Sequence, residues 1–352
     1  MWQIKNRTPF AAAQSWIRDM QGAETWLVVV KATFDIRDDG STHIAPQQPG
    51  AMRTPSYRGA PGRSSIVCDN DFVLTKRNTD VVVNGTAWAA GGRPTQRLDV
   101  AMRIGSARKV LRVTGDRVWL GDGVTVSDPK PFMTMPLVYE RAFGGIDSAS
   151  PHPERDWYWP NPTGTGFAVS RNHLRQKPLP NIEYPGELIT QWDARPRPAG
   201  FGVIAPNWSG RARFAGTYDD KWIVQRQPLL PDDFDERYYQ SVPEDQQSAG
   251  FLRGGEPVTL VNLSRVGRLN FMLPTMDLVF ETRFKDGTYQ EHERIDLHTV
   301  LLEPDYPRVS LIWQSAMECH AKVYKLDRTV IDLRLTRPTR RQEELDDLLS
   351  VG

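Results

Sequence analysis

Cysteine is nearly absent from this chain: Cys68 and Cys319 are far apart in sequence and have no companions. Two such residues make no disulfide framework, so the expectation is a reduced, cytoplasmic protein. Long apolar runs are missing too. Lys5 and Arg7 precede "WLVVV" at 26–30, but Lys31 ends that run at once. It is too short for a signal peptide and far below the ~18 apolar residues of a membrane span. An excess of one charge is also lacking. With 44 basic and 43 acidic residues the net charge is +1, which supplies no global pull toward nucleic acid or a lipid surface. Basic residues are scattered and not interleaved with aromatics, so neither nucleic acid nor membrane is an expected partner.

Helical periodicity is equally scarce. Only 339–350 reads as a helix, with Leu345, Leu348 and Leu349 on one face. What the chain does have is turns: 27 glycines and 27 prolines in 352 residues, somewhat above the roughly 12% of average usage. The length suggests about two domains at ~150 residues each, or one large β-rich domain. "TWLVVVKATFDI" at 25–36 reads as a strand, and Asp39-Gly40 as the turn returning it through "THI". "FVLTKRNTDVVVNGTAWAA" at 72–90 holds two further strand-like runs, and Gly85 inside the second marks a bulge or a close backbone approach. "KVLRVTGDRVWL" at 109–120 reads as a hairpin turning at Gly115-Asp116. Strand patterns return after 257, with turns at Val266-Gly267 and Asp286-Gly287. Between them, 127–257 is loop-rich but carries five tryptophans: Trp157, Trp159, Trp192, Trp208 and Trp222. Disordered segments are depleted in aromatics, so this segment is expected to be folded. The fold class that results is mainly β, with antiparallel, sandwich-like sheets, a long loop-rich middle and a short C-terminal helix. The β-rich part, 1–335, is expected either as one unit or as two β subdomains, about 1–126 and 258–335, joined by 127–257.

The oddest stretch is "PLLPDDFDERYYQSVPEDQQ" at 228–247, crowded with carboxylates. A calcium loop of the EF-hand kind needs glycine at its sharp turn, and here Tyr238 and Tyr239 follow the acids instead. Asp232, Asp233, Asp235 and Glu236 suit a glycosidase as residue types, but nothing in the sequence sets two of them across a cleft. The histidines form no HExxH pair and none lies near a CxxC, so no zinc centre is expected. There is no GxSxG elbow. "NPTGTGF" at 161–167 lacks the lysine of a phosphate loop. Its Gly164 and Gly166, like Gly144 and Gly145 of "AFGG", point to tight backbone packing. No catalytic site, cofactor or metal is expected. Proline-braced loops rich in Trp and Tyr suit a protein-binding face.

Several motifs follow one another in order: "YERAFGG" at 139–145, "NPTGTGF", "LPNIE" at 179–183, "GFGVIAPNWSGR" at 200–211, "GTYDDKW" at 216–222, the acidic stretch, and "LRGGEPVTLVNL" at 252–263. "NRTPFAAA" at 6–13 and "VVVKATFDI" at 28–36 accompany them. Together they resemble the domain-of-unknown-function family encoded beside the VgrG and PAAR spike genes of type VI secretion systems. The resemblance covers roughly 1–335. It implies a cytoplasmic adaptor or chaperone, not an enzyme, that binds a secreted toxin and helps load it onto the VgrG–PAAR spike. Two other readings stand beside it: a structural spike- or baseplate-associated component, and a carbohydrate-active enzyme using Asp232–Glu236. The residues expected to form the partner surface are Arg141, Trp222, Asp232, Asp233, Phe234, Tyr238 and Tyr239.

Overall fold

The computed structural model describes residues 3–120, 123–319 and 323–334. The helix expected at 339–350 lies outside them. The architecture is mainly β, as expected. The largest sheet has the strand order Ala11–Arg18, Glu24–Ile36, Arg308–Glu318, Asp296–Glu303, Asp80–Val83, with Thr42–Ile44 added on Glu24–Ile36. A five-stranded antiparallel sheet runs Ile182–Glu183, Ala107–Thr114, Arg97–Ile104, Pro257–Val261, Arg268–Met272. A four-stranded sheet runs Gln3–Asn6, Leu326–Leu333, Leu278–Phe284, Tyr289–Glu291. Each of these three sheets takes strands from both before residue 127 and after residue 256. The segments 1–126 and 258–335 are therefore interleaved within the same sheets.

The apolar run Trp26–Val30 within the strand Glu24–Ile36 follows from burial on both faces. Leu27, Val28, Val29 and Val30 are all 0% exposed. Trp26, Val28, Val30, Ala32 and Phe34 point into a core shared with Val100, Met102, Leu111, Leu260 and Phe271 of the five-stranded sheet and Phe280 and Ile331 of the four-stranded one. Leu27 and Val29 point the other way, where Tyr139, Val203, Trp208 and Val242 of the middle segment cover them. At ~1.5–3 kcal/mol per fully buried aliphatic side chain, this strand anchors two layers at once. A strand covered on one face alone would show alternation instead.

Three expected turns are where local chemistry put them. Ile36 pairs with Thr42 around Gly40, Arg283 with Tyr289 around Gly287, and Val261 with Arg268 around Gly267. All three glycines have positive φ. Two other expectations are corrected. The hairpin formed by Ala107–Thr114 turns at Gly105-Ser106, not at Gly115-Asp116. Gly115 serves a close approach: a Cβ there would collide with the Lys130 carbonyl. Residues 72–79 are not strand. Side chains take the place of a neighbouring strand there, with Gln314 bonding the Val73 backbone and Gln240 accepting from Arg77 N.

The middle segment is loop-rich and ordered, with two short helices, α1 (Ser209–Ala212) and α2 (Asp220–Gln225). A small core of its own gathers Phe143, Phe167, Leu174, Leu179 and Ile189 around Trp119. Buried Asp147 ties one end of it. Burial works to raise its carboxyl, but hydrogen bonds from Lys177, His173 and Val169 N outweigh that and hold it down to about 2.

Candidate partner-docking surface

The motifs of the middle segment pack on one another. Phe143-Gly144 of "YERAFGG" pairs in parallel with Thr165-Gly166 of "NPTGTGF". Asn161 donates through Nδ2 to the Tyr139 and Phe143 carbonyls at 2.8 and 3.1 Å. A side chain at Gly144 or Gly145 would collide with the carbonyl of Asn161 or Gly164, and both glycines have positive φ. "LPNIE" joins the knot through Asn181, which bonds Arg141 by backbone and side chain. Arg141, expected at a partner surface, is thus a tie to Asn181, with Asp116 3.6 Å away. In "GFGVIAPNWSGR", a Cβ at Gly200 would lie 2.6 Å from the Tyr139 ring, whose other neighbour is Trp208 in an edge contact at 5.3 Å. Arg211 reaches Asp69 at 2.7 Å and the Ile204 and Tyr238 carbonyls. These residue choices are explained by one another's backbone.

The acidic stretch divides into two unlike halves. In 239–247, Gln240 and Ser241 close on Asp80 of the central sheet. Gln240 Nε2 donates at 2.7 Å, Ser241 N at 2.7 Å and Ser241 Oγ at 2.9 Å, while Lys76 Nζ ion-pairs with the same carboxylate at 2.6 Å. Gln246 donates to the Val81 and Phe201 carbonyls and accepts from Lys109 Nζ at 2.8 Å. Lys109 is fully buried, 3.0 Å from Asp245. Burial pulls its pKa from 10.5 down to about 8, against the attraction of Asp245. This half is pinned to the framework by buried charge.

In 228–238 the carboxylates stand near solvent and serve local turns. Asp233 accepts from Thr217 N and Oγ1 at 2.9 and 2.7 Å, which lowers its pKa. Asp235 caps the turn Glu236–Tyr239 and pairs with Arg237, whose hydrogen bond holds its carboxyl down to about 2. Asp232 pairs with Arg226 at 2.9 Å. Phe234 corrects the expectation of an exposed partner residue: it is only 8% exposed. Hydrogen bonds Phe234 N→Pro231 O and Asp235 N→Phe214 O turn the chain inward there. Its ring lies 5.7 and 5.3 Å from those of Tyr238 and Tyr239. Both tyrosines are half-buried, and burial pushes Tyr239 up to about 12.

Around this frame lies an exposed apolar surface. Asp219 caps α2 by accepting from Trp222 N at 2.9 Å. No residue of α2 is buried, although Trp222, Ile223 and Val224 follow one another in it. Val224 is 83% exposed, Ile223 52% and neighbouring Tyr218 53%. Trp222 is half-buried. Its ring meets Tyr218 edge-on at 4.8 Å, and its Nε1 donates to Leu229 O at 2.8 Å. Arg226 staples the end of α2 to the turn between strands Ala11–Arg18 and Glu24–Ile36 through Met20 O at 2.6 Å, and to Leu230 O at 3.2 and 3.0 Å. Next to Leu229 lies an open crevice of about 550 Å³ lined by Trp16, Ile17, Arg18, Leu229, Leu230 and Tyr239, among others. Scattered exposed hydrophobics are ordinary; here Tyr218, Trp222, Ile223 and Val224 are close together in sequence, and the cap and the staple hold them in place. Of the expected residues, Trp222 lies in α2 and Tyr239 lines the crevice, Asp232 and Asp233 are exposed and bonded to Arg226 and Thr217, and Phe234 packs against Tyr238 and Tyr239. Ile223, Val224, Tyr218 and Trp16 were not anticipated. The signal was the trio "WIV" at 222–224 between polar residues, too short to bury a face of its own.

Other clusters have catalytic residue types without the setting. Ser315 Oγ lies 2.8 Å from His292 Nδ1, and Thr282 Oγ1 lies 2.8 Å from His292 Nε2 and from Thr329 Oγ1. All four are buried, and burial pulls His292 down to about 4, so the chain links two sheets with a neutral imidazole. Burial pushes both thiols, Cys68 and Cys319, up to about 11. Among the described residues, no group of three or more His, Cys, Asp or Glu could hold a metal ion, and no helix is long and apolar enough to cross a membrane.

Residues 21–314 match the profile of a protein family, DUF2169, described as an uncharacterized protein conserved in bacteria. The match includes "VVVKATFDI" and every motif from 139 to 263, and leaves out "NRTPFAAA" at 6–13. No curated protein and no solved structure matches the chain. With most of its length matched by one profile, the chain belongs to the DUF2169 family.

Proposed function

We propose that this protein is a cytoplasmic adaptor that binds a type VI secretion toxin and helps load it onto the VgrG–PAAR spike. Binding is noncovalent and uses no cofactor and no catalytic step. The ordered motifs from 139 to 263 supply the link to secretion, through their resemblance to proteins encoded beside spike genes. The observation that carries the docking role is the exposed surface of Tyr218, Trp222, Ile223 and Val224, of which Tyr218 and Trp222 belong to "GTYDDKW" and Ile223 and Val224 directly follow it. An interface of ordinary size, ~1,600 Å² in total, needs such an aromatic centre with a polar rim.

The test is a pull-down from the native cell combined with a deletion strain. Recovery of one toxin or spike protein, with loss of that toxin's export on deletion, is the expected result. Unchanged toxin level and export in the deletion strain would sink the proposal.

A further inference from the structure

We infer that an apolar crevice beside Trp313 is the docking site of the chain's own segment 335–352. This holds whatever partner the protein serves.

The crevice measures about 430 Å³ and is walled by four separate parts of the chain. Phe251, Leu252, Met276, Ile295, Leu297 and Trp313 give it an apolar lining. Its charged residues are of both signs. Arg294 and Asp296 pair with each other at 2.9 Å, which leaves Arg253 against Asp277 and Glu293. Charge on the rim therefore selects no occupant.

The path of the chain does. Leu278, which also lines the crevice, pairs with Leu333 in the antiparallel ladder between Leu278–Phe284 and Leu326–Leu333. Asp277 O then accepts from Arg334 N at 2.8 Å, and the Arg334 guanidinium is held by an ion pair with Glu291. The described residues end there. One step further along the same ladder the facing strand presents Met276, so the chain leaves Arg334 at the mouth of the crevice.

Segment 335–352 has residues suited to the lining. Leu335 comes first, and Leu345, Leu348 and Leu349 recur at the spacing of one helical face. Arg337, Arg340 and Arg341 precede Glu343, Glu344, Asp346 and Asp347, so the segment carries both signs, as the rim does. Leu345 follows Arg334 by 11 positions, at most roughly 40 Å of extended chain. A tether of that length holds the leucines near the crevice at an effective concentration on the order of millimolar. A second copy, or another protein, has to bring its apolar segment by diffusion.

The test puts the photo-crosslinking residue p-benzoylphenylalanine in place of Leu348 in the full chain, followed by irradiation and peptide mapping. Mixing isotope-labelled with unlabelled chains separates crosslinks within a molecule from those between molecules. The expected result is crosslinking within one molecule to 251–253, 276–278 or 293–297. Leu345→Asp with Leu349→Asp should abolish it, and so should Met276→Asp. Circular dichroism checks that the variants are folded, and if Met276→Asp is not, the leucine variant decides. Crosslinks between molecules would give the crevice to a second copy and overturn the inference. Crosslinks outside these three stretches, none at all, or a yield unmoved by the leucine variant would overturn it as well.

Discussion

Residues 228–238 and 239–247 are adjacent, both proline-punctuated and both acidic, yet they have opposite relations to the rest of the molecule. In the second, Gln240, Ser241 and Gln246 are buried and bonded to Asp80, Val81 and Phe201 of the framework. In the first, Asp232, Asp233 and Asp235 bond Arg226, Thr217 and Arg237 within the same loop region, and their neighbours on α2 leave apolar side chains in solvent. Composition alone does not separate structural from functional acid. The distinguishing fact is the partner: a carboxylate or amide whose partner is a buried strand holds the fold, and one whose partner is its own loop shapes a surface.

The sharpest way to break that contrast is Asp80→Ala. It strands Lys76 in the interior and removes the acceptor of Gln240 and Ser241. Losing one partner of a buried pair costs about 3–5 kcal/mol, so urea unfolding should show a loss of that size. A loss no larger than that of a surface variant would dissolve the distinction.

Lys109 gives the next effect. Its folded pKa is near 8 against 10.5 for the free group. Between those values the unfolded chain binds the proton and the folded chain does not, so this group's contribution to stability rises with pH across that window. Below pH 8 both states are charged, and the full penalty of burying the ammonium is present. Burial pushes both thiols and several tyrosines in the opposite sense at alkaline pH, so the informative quantity is a difference. The stability of the wild type relative to Lys109→Met should climb by about 3 kcal/mol from pH 8 to 10.5, followed by denaturant unfolding at each pH. A constant difference would mean that Lys109 stays protonated against Asp245.

Asp235→Ala tests the exposed half from within. Asp235 caps the turn Glu236–Tyr239 by accepting from Arg237 N. Loss of a cap costs ~1 kcal/mol, well below the cost at Asp80. Thermal unfolding should register it, and a loss above that at Asp80 would invert the ranking.

Hairpins were legible because a turn is local chemistry: Asp39-Gly40 and Asp286-Gly287 need φ > 0 at glycine whatever surrounds them. "WLVVV" announced a strand, and its lack of alternation matched burial on both faces. What escaped were positions decided by distant chain. Gly115 looks like a turn residue until the Lys130 carbonyl is placed against it. Residues 72–79 look like strand until Gln314 and Gln240 are seen bonding their backbone. Phe234 looked exposed amid acids, yet its backbone bonds to Pro231 and Phe214 fold it inward. Of the site, Trp222 and Tyr239 were legible as aromatics in a braced loop. Ile223 and Val224 were not, because an isolated apolar pair in sequence is ordinarily core, and only the three-dimensional arrangement shows that nothing covers it.

The smallest expected effect on stability separates the halves most cleanly. Val224→Asp replaces an 83%-exposed side chain on a helix that buries no residue. Its folded environment is already water, so the change in unfolding free energy should fall within about 0.5 kcal/mol. If Val224 belongs to a docking surface, the same substitution desolvates a carboxylate in the bound state. Partner recovery in the pull-down should then be lost while the unfolding midpoint stays put. Asp80→Ala should show the reverse pattern whenever enough folded protein survives: a lowered midpoint, with recovery per folded molecule retained. Matching losses of stability and recovery in both variants would mean that the acidic stretch is a single structural unit, and the division at Tyr239 would have no physical content.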